Sequence, residues 1–74
     1  MAITPNDKGG YIMKYKVIVP PTMQVGSYKT IANSSPMTTA REDALQDYNS
    51  ARDHDGLPPL KRLPQGTQFI PIYA

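Results

Sequence analysis

His54 stands between Asp53 and Asp55, the one place where titratable side chains crowd together in this chain. An imidazole flanked by carboxylates could ligate a metal, and Asp53-His54-Asp55-Gly56 matches part of a calcium-loop pattern. That pattern closes on a bidentate glutamate, and no glutamate follows Glu42. The reading is a solvated turn, with no metal and no cofactor. Nucleophilic catalysis lacks its parts as well: there is a single histidine, and neither Gly-x-Ser-x-Gly nor Ser-x-x-Lys occurs. Asp43 and Asp47 share a helix face at i, i+4, but it lies opposite the apolar stripe and is expected to be exposed, whereas acid–base work wants a shielded pair. The chain is therefore not expected to be an enzyme.

Other signals are weaker. Asn33-Ser34-Ser35 matches a glycosylation acceptor, which means nothing without a secretory leader. Lys61-Arg62 could touch phosphate, yet two cations are too few for an affinity that depends on many neutralised phosphates. Six aromatics (Tyr11, Tyr15, Tyr28, Tyr48, Phe69 and Tyr73) could stack sugars or bases, but most fall on inward faces and read as core.

With 74 residues, the chain has room for one small domain. It is 39% hydrophobic and has no cysteine, so neither disulfides nor thiolate metal sites can stiffen it, and a partner surface is the remaining aid. Its net charge is +2, with +3 in residues 1–37 and −1 in residues 38–74, which suits docking by one face rather than nucleic-acid binding. The longest apolar run is Val17-Ile18-Val19, far short of the roughly 18 residues of a membrane span. No membrane contact is expected. The first residues carry no apolar leader region, so synthesis in a reducing compartment is expected.

The elements follow from periodicity. Residues 1–12 read as a flexible arm ahead of a domain at 13–74. Tyr11 to Val19 predicts a strand whose apolar face is Tyr11, Met13, Tyr15, Val17 and Val19, ended by Pro20-Pro21. Ser27 can cap a short helix carrying Tyr28, Ile31 and Ala32 on one side, stopped at Asn33–Pro36. Thr39 and Glu42 have capping-box spacing for a second helix, with Arg41, Ala44, Leu45 and Tyr48 as its stripe and Asn49-Ser50 as its end. A connection at 51–66 follows, turning at residues 53–56 and extended through Leu57-Pro58-Pro59-Leu60. Thr67 to Tyr73 predicts a last strand that Pro71 confines to a sheet edge or strand end. The expected fold is α+β: two short helices packed on a two-stranded antiparallel sheet.

This order, with Gly26-Ser27-Tyr28-Lys29-Thr30-Ile31-Ala32, Tyr48-Asn49 and the turn Leu63-Pro64-Gln65-Gly66-Thr67, resembles the LysM-like β-α-α-β domains, and above all the phage tail protein X family. The resemblance implies a structural component of a phage tail or baseplate. Such a protein is made in the host cytoplasm, sits in the virion in several copies, and binds neighbouring tail or baseplate proteins. Contacts are then expected at Lys8, Tyr11, Leu57, Pro58, Pro59, Leu60 and Tyr73. The alternative it implies is a glycan-binding module for peptidoglycan N-acetylglucosamine chains, with its groove around Gly26, Ser27, Tyr28, Asn49 and Leu57.

Overall fold

The structure is a computed structural model that describes residues 11–73. The chain forms β1 (Ile12–Val19), β2 (Tyr28–Ala32), α1 (Met37–His54) and β3 (Gln68–Tyr73), a small α+β fold. β1 is the central strand of a three-stranded sheet in the order β2-β1-β3, antiparallel to both neighbours. β2 and β3 thus run parallel on either side of β1 and are joined by a crossover through α1, a split β-α-β arrangement.

The expected two helices on a two-stranded sheet, and with them the LysM-like β-α-α-β order, are overturned: the described residues form one helix and a three-stranded sheet. The error lies at residues 28–32. Tyr28, Ile31 and Ala32 do have helical spacing, but a helix this short cannot repay its nucleation. Aromatic Tyr28 and β-branched Thr30 and Ile31 suit an extended chain. The segment also has a partner at hand, because the chain reverses at Thr22–Val25. There the Thr22 N–H donates to the Val25 carbonyl (2.8 Å), while Thr22 Oγ1 accepts from the amides of Gln24 and Val25. Val19 then pairs with Tyr28 and Tyr15 with Ala32.

The first strand forms as predicted, with Tyr15, Val17 and Val19 buried. Its first residues depart from the pattern. A β-bulge between Ile12 and Lys14 shifts the alternation, so Ile12 packs against the core while Met13 and Tyr11 are exposed. The last strand also forms, and Pro71 does lie on an edge strand.

The long helix starts at Met37 behind Pro36, whose carbonyl accepts from the Ala40 N–H at 2.9 Å. Thr39, expected as the cap, therefore lies inside the first turn, three positions past Pro36. Asn49-Ser50 does not end the helix; Gly56 does. At φ +77° it lets the Leu57 N–H reach the Arg52 carbonyl (2.8 Å) and its own N–H reach that of Asp53 (2.9 Å), a Schellman closure. His54 is thus the last helical residue. The buried seam is Ala40, Ala44, Tyr48 and Arg52, each one turn apart, and Arg41 is exposed. Two alanines in that seam let α1 lie close on β1 and β2; it does not cover β3. Tyr28 and Tyr48 meet edge-on with centroids 5.5 Å apart, as do Tyr15 and Phe69 at 6.1 Å.

Candidate functional site

Because α1 covers two of the three strands, the inner side of β3 needs another cover. The segment after the helix supplies it. Asn49 holds Leu60 by two hydrogen bonds, and Arg52 Nε donates to the Pro58 carbonyl at 2.8 Å. Leu60 and Leu63 pack against the core. The chain then turns at Pro64, whose carbonyl accepts from Thr67 Oγ1 (2.7 Å) and the Thr67 N–H (3.3 Å), with Gly66 at φ +92°. Between this anchored segment and the first half of α1 runs a groove of about 370 Å³.

Half-buried Leu45, Leu63, Pro64 and Phe69 form the apolar wall of the groove. Exposed Arg41, Lys61 and Arg62 stand around it with one carboxylate, Glu42. Glu42 is within 4 Å of none of these cations; among the described residues the one ion pair is His54–Asp55, exposed, at 3.9 Å. The groove therefore joins apolar surface to a net positive rim. The chemistry it can perform is the capture of an apolar side chain flanked by carboxylates.

The sequence-predicted contact residues scatter. Lys8 lies outside the described residues, and Tyr11 is exposed just before β1. Tyr73 pairs with Ile12 at the far end of the sheet. Pro58 and Pro59 are exposed, whereas Leu57 and Leu60 are half-buried, with the Leu60 backbone committed to Asn49. Of the alternative glycan groove, Gly26, Ser27 and Tyr28 do line a common cleft of about 170 Å³ with Tyr48 and Arg52. Asn49 and Leu57 do not belong to it, and the Asn49 amide is spent on Leu60. Sequence reasoning missed the groove because it placed Arg41 and Phe69 in the core and weighed Lys61-Arg62 only against phosphate.

Asp43 and Asp47 share a face, but they are not simply turned to solvent. Asp43 Oδ2 accepts from Ser34 Oγ at 2.8 Å, and Asp47 Oδ2 accepts from Tyr28 Oη (3.0 Å) and from Thr30 Oγ1. They fasten the helix to β2 and the link behind it. Burial, then the hydrogen bond to Asp47, then its charge raise the Tyr28 hydroxyl above its ordinary pKa. Among the described residues no group of three metal-ligating side chains comes together, and no helix is long and apolar enough to cross a membrane.

No protein-family model, no curated protein and no solved structure matches the chain. The resemblance to tail protein X thus rests on its quoted residues alone, and the element order it implied is not the one observed.

Proposed function

We propose that this chain is a non-catalytic binding module. It holds, in the groove between α1 and residues 61–69, a partner segment in which leucine or phenylalanine is flanked by aspartate or glutamate. What supports this reading is the apolar wall of Leu45, Leu63, Pro64 and Phe69 under three cations that no carboxylate neutralises among the described residues. The apolar side chain would supply affinity, and the cations would select the flanking charges and speed encounter. The phage tail or baseplate setting named by the resemblance is a separate proposal, checked by mass spectrometry of purified particles.

The experiment is an NMR titration of the full chain with a short peptide holding Leu and Phe between glutamates. Signals of Leu45, Leu63 and Phe69 should move, and Lys61→Glu with Arg62→Glu should weaken binding about tenfold or more. Unchanged affinity in that variant, or equal binding of a peptide with lysines in place of the glutamates, would refute the reading.

A further inference from the structure

Among the described residues, no helix lies on the side of the sheet away from α1. The register fixes what it presents: Lys16 between Ile31 and Ile70, Ile18 between Lys29 and Gln68, and Lys14 beside Ile72. Ile31 and Ile70 are each 42% exposed. Isoleucines and lysines thus alternate across three strands in a checkerboard, and none of these eight residues is acidic or aromatic.

We infer that this face is a second docking surface, for a protein partner whose own surface alternates carboxylates with small apolar side chains. Charge and pattern select that occupant. A second copy of the chain would set lysines against lysines. Single-stranded nucleic acid stacks its bases on aromatic rings, and none of these eight residues is aromatic. A lipid surface favours apolar side chains grouped at the centre with cations at the rim. Here Lys16 stands between the two exposed isoleucines, so inserting them would carry its ammonium toward hydrocarbon. Carboxylates opposite the lysines satisfy the charge while the isoleucines lose water. The footprint, roughly 250 Å² from three strands at sheet spacing, is well below the ~800 Å² per partner of a stable interface, so the contact is weak and exchanges fast. It lies across the sheet from the groove, and the chain thereby gains two independent faces.

The test is titration of the full, isotopically labelled chain with a short peptide alternating glutamate and valine. Oligothymidine and phosphatidylserine vesicles run in parallel. The peptide should shift the signals of Lys16, Ile18, Lys29, Ile31 and Ile70 in fast exchange. Lys16→Glu with Lys29→Glu should weaken binding at this face about tenfold, whereas Arg62→Glu in the groove should leave the titration of the Lys16, Ile18, Lys29, Ile31 and Ile70 signals unchanged. Both substitutions sit on exposed residues, and the variant's own spectrum shows whether it is folded. The inference is overturned if the nucleic acid or the vesicles move these signals at lower concentration than the peptide. Shifts confined to the groove, or no saturable shift at all, would overturn it equally.

Discussion

Asn49 and Leu60 exchange a pair of hydrogen bonds: Nδ2 donates to the Leu60 carbonyl and the Leu60 N–H donates to Oδ1, each at 2.9 Å. One helical side chain thereby gives a loop the backbone pairing that a neighbouring strand would give. Without it a part-buried amide and carbonyl are left unpaired, so Asn49→Ala should lower stability by about 2 kcal/mol. Asn49→Asp keeps the acceptor and should cost clearly less. Urea unfolding of both variants decides; equal losses would mean that the Leu60 amide does not depend on Asn49.

Two tyrosines should respond in opposite directions to loss of the hydroxyl. Tyr15 Oη donates to the Ser35 carbonyl at 3.0 Å, so Tyr15→Phe should cost about 1 kcal/mol. Tyr48 Oη is buried with no partner among the described residues, so Tyr48→Phe should be neutral or stabilise by up to about 1 kcal/mol. Thermal melts of the pair provide the comparison, and a destabilised Tyr48→Phe would point to a partner for that hydroxyl.

Glycines divide by backbone angle rather than by space. Gly66 has φ +92°, and an added Cβ would meet Pro20 Cγ at an ordinary 3.5 Å, so Gly66→Ala should cost about 1 kcal/mol or more from conformation alone. Gly26 has nothing within 4 Å of such a Cβ and no positive φ. Gly26→Ala should therefore be neutral or stabilise by a few tenths, roughly, of a kcal/mol. Similar losses in the two melts would contradict this.

Stability should fall in strong alkali because of Tyr28. Its hydroxyl titrates above the ordinary 10.0 in the fold, through burial first and Asp47 second. The neutral phenol is thus favoured by folding; its contribution is complete below 10.0 and is lost as pH rises through the raised value. Asp47→Asn removes the negative charge but not the burial, so the pKa should drop only part of the way back. Phenolate absorbance during titration follows this directly, and identical curves for the two proteins would refute it.

Much of the framework was legible. Alternation gave β1 its inward Tyr15, Val17 and Val19, and Pro71 marked an edge strand, because both follow from local chemistry. β2 was not legible, since five residues with Tyr28, Ile31 and Ala32 satisfy both periods and only pairing with β1 decides between them. The end of α1 is legible in principle: Gly56 followed by Leu57 is the signature of a left-handed cap, although the same residues also suit the turn expected at 53–56. The groove could not be read. It exists because α1 sits over β2 and β1 and leaves β3 beside the segment that follows the helix, a long-range arrangement that no local pattern encodes.

Residues 61–63 hang between two moorings, Leu60 tied to Asn49 and the turn from Pro64 to Thr67. Their span is fixed, yet Lys61 and Arg62 themselves are exposed and bear no share of the core. Descendants of this sequence can therefore exchange those two side chains and alter what the groove accepts while the scaffold stays as it is. An inserted residue is another matter: it would slacken the segment that packs Leu60 and Leu63 against the core and spoil recognition and packing at one stroke.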